Sequence, residues 1–286
     1  MSILHVSAIQ LAGQAGDNLA AMQRMLKKAL YMYPSTQLVI FSELCAFGPD
    51  PIHAQPMPGP AEETFCAWAK EYGIWLIPGS IFEKDGKNTY NTAPLINPKG
   101  EVLLRYRKMY PFKPHEASIE QGTDYAAFDL PGDGRAGLSI CYDSWFPETT
   151  RTLIWMGAEV IFHPTMTGTI DRDPELSIAR ASALCNQCWF IDINGAGELG
   201  KGMSIVVGPE GDIYHQAGSG SEIIPIEVDF ERVRRTRETG LLGGLGQPLK
   251  SFRDGPQQFP VYEKGPRNSE VFKKLGDLKK KTKNRE

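Results

Sequence analysis

The chain has 286 residues, of which 41% are hydrophobic and 23% are charged, a composition typical of globular proteins. Its 31 Lys and Arg against 34 Asp and Glu give a formal net charge of -3, which argues against the clustered basic surface of a nucleic-acid-binding domain. No stretch approaches the length of a membrane-spanning helix, and the first residues lack the pattern of a secretory leader. We therefore expect a cytoplasmic protein with no nucleic-acid and no membrane partner.

The cysteine pattern disfavours both a disulfide framework and a metal site. The chain has five cysteines, an odd number, whereas disulfide-stapled secreted domains carry paired cysteines. Cys185 and Cys188 form a CxxC motif, but no second Cys or His pair follows at zinc-binding spacing. We expect reduced, buried thiols, no metal and no cofactor.

Hydrophobic periodicity in the first half of the chain predicts alternating strands and helices. In chain order these are a strand at residues 3–11, a helix at 18–31, a strand at 37–41, a helix at 62–72, and strands at 75–82, 89–96 and 101–106. The continuous apolar run at 37–41 is typical of a strand covered on both faces. Turn residues separate the last three strands, which predicts an antiparallel meander.

The second half of the chain repeats the alternation. It predicts a strand at residues 135–141, a helix at 147–155, a strand at 160–163, a helix at 175–186, and strands at 189–194, 204–207 and 223–228. Such alternation with interposed hairpins indicates one α/β domain with two sheets, which we place at residues 1–265. The segment from about residue 239 is rich in Gly and Pro and nearly without periodicity. Residues 266–286 form a basic tail that we expect to be flexible and solvated.

Cys141 has the sequence context of a catalytic nucleophile. It closes the predicted strand RAGLSIC and is followed by a turn and by Pro147, a favoured first residue of a helix. A strand-to-helix turn exposes a side chain and aims backbone N–H groups at one point. Such a turn can lower a thiol pKa from about 8.5 and can hold an oxyanion. A lone cysteine is more often a buried hydrophobe, so this context needs support from other residues.

Glu43 and Lys108 supply that support because each also follows a predicted strand. Glu43 closes QLVIFSE, where burial would raise the pKa of its carboxyl toward the range useful to a general base. Lys108 follows EVLLRYR and precedes the aromatic, proline-rich MYPFKP. Each could alone be an ordinary surface residue. All three together, in this order and with these flanks, indicate a catalytic set.

The segments FSELCAFG, RYRKMYPF and SICYDSWFPE around these residues resemble the nitrilase superfamily of carbon–nitrogen hydrolases. The similarity covers most of residues 3–230. It implies an α/β fold, a four-layer αββα sandwich in which two sheets are flanked by helices, with catalytic residues at strand ends. Glu116 resembles the additional glutamate that amidases and carbamoylases of this family place beside the cysteine. Glu120 is the nearby alternative, but the spacing after the lysine fits Glu116 better.

The resemblance implies roles for these residues. Glu43 would take the thiol proton, Cys141 would attack an amide carbonyl to form a thioester, and Lys108 would hold the oxyanion with the backbone N–H of Tyr142. Glu116 would position the substrate amide and Lys108. The candidate substrate-binding residues are Tyr142, Trp145, His163 and Thr165. The expected substrate is a small-molecule amide, with ammonia or an amine released.

Several alternatives to an amidase stay open on the sequence alone. The first is an N-carbamoyl amine or amino acid amidohydrolase. Some carbamoylases place an arginine soon after the nucleophile, whereas this chain has Ser144 and Trp145 there, which argues against a carboxylate anchored at that point. Nitrile hydrolysis is disfavoured by the CYDSWFPE context. A Cys–His protease using His115 or His163 lacks its local signature. The non-enzymatic alternative is a nitrilase-like binding scaffold.

The resemblance also implies self-association. Family members usually pair, and their C-terminal segments often cross onto the partner. We therefore expect a homodimer or a larger even homo-oligomer, with the segment from about residue 239 acting as a docking arm.

Overall fold

The computed structural model describes residues 2–113, 115–265 and 268–275. Apart from residues 268–275, the basic tail predicted at 266–286 lies outside the described residues. In these ranges no helix is both long and apolar enough to cross a membrane.

Strands and helices alternate along most of the chain, as the sequence predicts. The strands are β1 (Ile3–Gln10), β2 (Ala12–Gly13), β3 (Leu38–Phe41), β4 (Trp75–Ile77), β5 (Ile81–Asp85), β6 (Asn88–Ile96), β7 (Val102–Arg107), β8 (Ala126–Leu130), β9 (Gly134–Leu138), β10 (Val160–Thr165), β11 (Trp189–Asn194), β12 (Ala196–Gly197), β13 (Ile205–Val207), β14 (Ile213–Gln216) and β15 (Glu222–Asp229). The helices are α1 (Leu19–Met32), α2 (Pro60–Tyr72), α3 (Pro147–Trp155), α4 (Arg172–Asn186), α5 (Phe230–Thr239), α6 (Pro248–Asp254), α7 (Pro260–Lys264) and α8 (Glu270–Lys273).

Two large sheets form the centre of the domain. The first has the order β15-β1-β3-β4-β6-β5, with β7 paired to β6, and the second has the order β14-β13-β11-β10-β9-β8. In the first sheet β1, β3 and β4 are parallel, and in the second β9, β10 and β11 are parallel. Parallel strands end at a common edge, so the residues that follow β3 and β9 can meet where the edges of the two sheets approach.

The side chains of β3 show how the layers are stacked. Leu38 and Ile40 join the core between the two sheets, whereas Val39 and Phe41 pack on the opposite face with α1 and α2. In the second sheet Phe162 faces the first sheet, and the neighbouring strand residues pack with α3 and α4. Both faces of each sheet are therefore covered, which explains the continuous apolar runs. The predicted four-layer αββα sandwich is confirmed.

The strand predicted at residues 75–82 is two strands, β4 and β5, interrupted at residues 78–80. Gly79 lies between them at φ 82°, and a Cβ there would stand 1.8 Å from the carbonyl oxygen of Ser42. The break therefore lets the backbone approach the segment that leads to Glu43. It also separates the meander β5–β6–β7 from the parallel strands.

Other boundaries differ from the predictions in smaller ways. The strand predicted to end at Cys141 ends at Leu138, and the helix predicted from residue 175 begins at Arg172. The elements β8, β14 and α5 were not predicted from the sequence. The segment after residue 239 contains the short helices α6, α7 and α8, of which α6 and α7 begin at proline, a residue suited to the first helical turn.

The close approach at Gly79 yields a prediction about stability. Gly86, in the turn between β5 and β6, has φ 58° and open space around a Cβ, so Gly86→Ala should cost about 1 kcal/mol of unfolding free energy from backbone strain alone. Gly79→Ala adds a steric clash with Ser42 and should cost about 3 kcal/mol or more. Urea unfolding of both variants measures the difference. Equal losses would show that the contact with Ser42 relaxes freely.

Candidate active site

The structure brings together the four residues predicted to be catalytic. Glu43 follows β3, Lys108 follows β7, and Cys141 begins a 3-10 turn at Cys141–Trp145 that follows β9. The Nζ atom of Lys108 lies 2.8 Å from Oε1 of Glu43 and 2.8 Å from Oε2 of Glu116. Lys108 and Glu43 are each 2% exposed and Cys141 is 8% exposed. A buried ammonium therefore bridges two carboxylates beside a cysteine thiol.

The turn that carries Cys141 is strained and firmly anchored. Cys141 has φ 47°, a conformation that residues other than glycine rarely adopt. The fully buried carboxylate of Asp143 accepts hydrogen bonds from the Ile140 N–H at 2.9 Å, the Tyr106 hydroxyl at 2.7 Å and the Tyr110 N–H at 2.8 Å. Asp143 thus ties the turn to β7 and to the segment after Lys108. The carboxylate of Asp143 therefore anchors the turn.

Glu43 is held by residues of both sheets. Its Oε1 also accepts a hydrogen bond from Nδ2 of Asn91 at 2.8 Å, and its backbone N–H donates to the carbonyl of Thr165 at 3.3 Å. The backbone of Asn91 accepts from the Lys108 N–H at 2.8 Å. Asn91 therefore fixes both members of the ion pair. Sequence reasoning missed it because an asparagine inside a predicted strand gives no signal of this role.

Glu116, rather than Glu120, is the second carboxylate on Lys108. Its Oε2 accepts from Lys108 and also from the Phe112 N–H at 2.5 Å. These two donors fix the orientation of the carboxylate. Glu120 is exposed and does not line the cavity.

Charge and burial act against each other at Lys108 and Glu43. Burial disfavours the charge on Lys108, but Glu43, Cys141 and Glu116 outweigh it and hold the pKa of the ammonium well above its ordinary value. Burial raises the pKa of Glu43, and the neighbouring ammonium opposes that rise. Lys108 therefore stays positively charged, and Glu43 has a greater proton affinity than an exposed glutamate.

The sequence led us to expect that the turn could lower the pKa of the Cys141 thiol, but the surroundings of the thiol have the opposite effect. Burial, together with the negative charge of Glu43, raises the pKa of Cys141 well above its ordinary value, and Lys108 only partly offsets this. Both influences favour the thiol over the thiolate. Glu43 is the carboxylate within hydrogen-bonding reach of this thiol.

A cavity of about 520 Å³ opens onto the thiol. Its walls include the four predicted catalytic residues and two predicted substrate-binding residues, Tyr142 and Trp145. Phe112 and His115 stack at 5.0 Å between ring centroids and form part of an aromatic wall. This volume suits a small organic molecule.

The structure places His163 and Thr165 away from the cavity lining. Each is 1% exposed. Nδ1 of His163 lies 2.7 Å from Oγ of Ser139, and the carbonyl of Thr165 accepts from Glu43. These contacts support the strand ends beneath the site, where neither side chain is placed to touch substrate. The acid–base partner beside Cys141 is Glu43, which argues against a Cys–His pair.

Two residues that sequence reasoning missed line the cavity on the side of α4. The Thr167 hydroxyl lies 3.9 Å from Sγ of Cys141 and donates to Oε1 of Glu175 at 3.0 Å. Nε1 of Trp145 also approaches that oxygen, at 3.4 Å. Burial raises the pKa of Glu175 to about 7. From the sequence alone, Glu175 is an acidic residue at the start of a predicted helix, and such residues are common in proteins.

A second depression, of about 660 Å³, lies beside β5 and β7. None of the predicted site residues line it. Its Arg107 pairs with Glu83 at 2.6 Å and with Asp85 at 2.8 Å. These paired charges suggest structural stabilisation rather than chemistry.

The CxxC cysteines have different surroundings. Cys188 is fully buried, whereas Cys185 is exposed, contrary to the expectation that both are buried. Within residues 2–113, 115–265 and 268–275, no group of three or more His, Cys, Asp or Glu side chains is arranged to hold a metal ion.

The αββα sandwich with a Glu–Lys–Cys set at its strand ends defines a hydrolase of the carbon–nitrogen class. Residues 5–238 match the sequence profile of the family described as carbon-nitrogen hydrolase, and the chain belongs to this family, within the nitrilase superfamily. It is therefore an enzyme that hydrolyses carbon–nitrogen bonds.

Individual relatives support this assignment. Omega-amidase NIT2-A from Xenopus laevis is 30% identical over 244 residues, which cover 78% of this chain and 86% of the relative. A formamidase from Helicobacter acinonychis is 30% identical over 193 residues, which cover 63% of this chain and 57% of the relative. The crystal structure of Saccharomyces cerevisiae Nit3, a member of branch 10 of the nitrilase superfamily, superposes with a TM-score of 0.76 at 28% identity, covering 84% and 95% of the two chains.

The surroundings of His163 yield a prediction about pH. Burial lowers the pKa of His163 from its ordinary value of 6.5 to about 4, so between these values the unfolded chain binds a proton there and the folded chain does not. As far as His163 is concerned, the unfolding free energy has its full value above pH 6.5 and decreases as the pH falls to about 4. The unfolding free energy of the wild type should therefore fall by about 3 kcal/mol relative to that of His163→Asn across this window.

Denaturant unfolding at several pH values measures this difference. His53→Asn, which changes an exposed imidazole, is the matched control. Parallel curves for the wild type and His163→Asn would contradict the assignment of His163 as a buried, neutral residue.

Proposed function

We propose that this carbon–nitrogen hydrolase is an amidase that cleaves small-molecule linear amides through a thioester on Cys141. The observation that carries the proposal is the buried Lys108 ammonium held between Glu43 and Glu116 at the thiol. The names of the relatives, omega-amidase and formamidase, agree with an amide as substrate.

In the first half of the reaction, Sγ of Cys141 attacks the amide carbonyl carbon while Glu43 takes the thiol proton. Negative charge develops on the carbonyl oxygen, which accepts hydrogen bonds from the Lys108 ammonium and from the backbone N–H of Tyr142. Because Lys108 is already charged and fixed, it stabilises this charge without reorganising. The raised pKa of the thiol makes a base necessary, and Glu43 supplies it.

Collapse of the tetrahedral intermediate breaks the carbon–nitrogen bond. The protonated Glu43 gives its proton to the nitrogen, so ammonia or an amine leaves and the acyl group remains on Cys141 as a thioester. Water then enters, and Glu43 takes one of its protons as the oxygen attacks the thioester. The carboxylic acid leaves, and the proton on Glu43 returns to the thiol.

Glu116 has a positioning role in this proposal. Its Oε2 already accepts from Lys108 and from a backbone N–H, so it holds the ammonium in line with the carbonyl. It also lines the cavity, where it can accept a hydrogen bond from the substrate amide N–H. Two carboxylates sharing one ammonium do not act as two independent bases, because each alters the proton affinity of the other.

The second candidate function is hydrolysis of N-carbamoyl compounds, which needs the same nucleophile and base. Trp145 and Glu175 on the cavity wall favour an N-carbamoyl amine over an N-carbamoyl amino acid. The described residues of the cavity wall include no arginine that could pair with an amino acid carboxylate. A binding scaffold, by contrast, would gain nothing from a buried ammonium beside a strained cysteine.

Ammonia and amine release from formamide, short aliphatic amides, aryl amides and N-carbamoyl compounds tests the proposal. Cys141→Ala should lower turnover of the preferred amide by at least about a thousandfold, because it removes the nucleophile. Cys185→Ala, at an exposed thiol, is the matched control and should keep wild-type turnover.

Mass spectrometry of rapidly quenched enzyme should show the acyl group on Cys141 during turnover. Cleavage of carbamoyl compounds alone would favour the second candidate function. Full activity of Cys141→Ala, or no turnover of any compound by the wild type, would contradict the amidase proposal.

We also propose that the chain forms a homodimer or larger even homo-oligomer through the docking arm, residues 239–265. α6 packs onto the domain through Leu249, which joins the apolar cluster beneath α3 and α4. Large apolar side chains of the arm face solvent: Leu242, Leu245, Phe252, Phe259 and Tyr262. Exposed apolar side chains in this number are typical of a surface that a partner covers.

Sedimentation of truncated chains tests the role of the arm. A chain ending at Gly240 should become monomeric, because it lacks the apolar side chains that a partner would bury. A chain ending at Gly265 keeps the arm and should assemble as the full chain does. A monomeric full-length chain at micromolar concentration would contradict the proposal.

A further inference from the structure

The charges on the wall of the catalytic cavity are unequal. Its described residues carry four carboxylates, those of Glu43, Glu116, Asp171 and Glu175, against the single ammonium of Lys108. Lys108 is already paired with Glu43 and Glu116. Asp171 and Glu175 add negative charge at a part of the wall whose described residues include no lysine or arginine besides Lys108. The other basic side chain of the wall, His115, stacks on Phe112.

The nearest other cation, Arg172, is not available to a substrate. It is fully buried, and its Nη1 lies 3.3 Å from Oε2 of Glu175 and 2.9 Å from Oδ2 of Asp192. Its Nη2 donates to the carbonyl of Met203 at 2.8 Å. Arg172 therefore holds Glu175 in place from behind, while Glu175 faces the cavity.

Glu175 is oriented by donors on the cavity side as well. Thr167 and Trp145 both approach its Oε1, so the carboxylate, the hydroxyl near the nucleophile and the indole form one connected group. Asp171, one turn earlier on the chain, accepts from the Thr169 hydroxyl at 2.7 Å. We call Asp171, Glu175 and Trp145 the acidic end of the cavity.

Resting on the proposed amidase function, we propose that the acidic end selects amides whose far terminus carries an ammonium group and rejects those that end in a carboxylate. An ammonium can pair with Glu175 and Asp171 and can lie against the indole ring of Trp145, an arrangement that favours cations. A carboxylate entering the same space would lose water and meet the carboxyl groups of Asp171 and Glu175. Among the described wall residues, the lysine or arginine it could approach is Lys108, which is already paired.

The protonation behaviour of Glu175 is consistent with this selection. Burial raises its pKa to about 7, so in the empty cavity the carboxylate takes up a proton easily. A bound ammonium supplies the opposite charge and favours the ionised form. The cavity volume of about 520 Å³ accommodates a short methylene chain between the amide and that ammonium.

Three amides that share a four-methylene chain test the proposal. They differ only at the far terminus, which is an ammonium, a methyl or a carboxylate group. The wild type should show the highest kcat/KM for the ammonium-ended amide and the lowest for the carboxylate-ended one. The ratio between the ammonium-ended and methyl-ended amides measures the selectivity, so any general change in catalysis cancels.

Glu175→Gln keeps the size of the side chain and should lower that ratio by about tenfold, the scale expected when one charge is removed from a partly buried pair. Asp171→Asn should also lower the selectivity ratio. This second variant leaves the contact between Arg172 and Glu175 intact. Glu63→Gln, an exposed carboxylate on α2, is the matched control and should leave the ratio unchanged.

Binding of the same three amides to Cys141→Ala, measured by calorimetry, separates this proposal from the proposed function. If the wild type cleaves none of the amides, the amidase proposal fails, and tighter binding of the ammonium-ended amide still supports the selectivity. Preferential binding or cleavage of the carboxylate-ended amide would overturn the selectivity. So would a selectivity ratio that is the same in the wild type, Glu175→Gln and Asp171→Asn.

Discussion

The site depends on one interaction, the buried ammonium of Lys108 between two carboxylates. Removing an ammonium from water is costly, and the cost is offset only if opposite charges approach closely. Glu43 and Glu116 satisfy this condition at 2.8 Å each. Glu43 lies 65 residues from Lys108 and Glu116 lies eight residues from it, so the complete set of contacts requires both the first sheet and the segment after β7 to be in place. Folding and catalytic geometry are therefore coupled through Lys108.

The same interaction determines how the cysteine can react. Two carboxylates around one ammonium leave the catalytic end of the cavity with excess negative charge, and burial further disfavours a thiolate. These influences favour the thiol over the thiolate. In the proposed mechanism the thiol proton moves to Glu43 as the substrate is attacked, and Lys108 stabilises the charge that appears on the substrate oxygen. The strained turn at Cys141, anchored by Asp143, holds the sulfur in position for this step.

The sequence predicted the parts of this arrangement that follow from local pattern. Continuous apolar runs such as β3 indicated sheets covered on both faces, and the residues after three strands indicated where the catalytic side chains converge. Contacts between distant segments were not predictable. Asn91, Thr167 and Glu175 have ordinary local contexts, and only the fold brings them to the cavity. His163 and Thr165 were predicted to bind substrate because they lie near the end of β10, yet both are buried and lie outside the cavity lining.

The two ends of the cavity divide the work of the enzyme between charge stabilisation and selection. At the catalytic end Lys108 is positive but fully paired, so it attracts an oxyanion that forms in place more than a carboxylate that must first lose water. At the acidic end Glu175 is supported from behind by Arg172, which offsets part of its burial cost without exposing a cation to the substrate. A substrate whose neutral amide group lies at the catalytic end and whose positively charged terminus lies at the acidic end would match both. The Thr167 hydroxyl lies between them, 3.9 Å from the sulfur of Cys141 and 3.0 Å from Oε1 of Glu175, so the two ends of the cavity meet at this side chain.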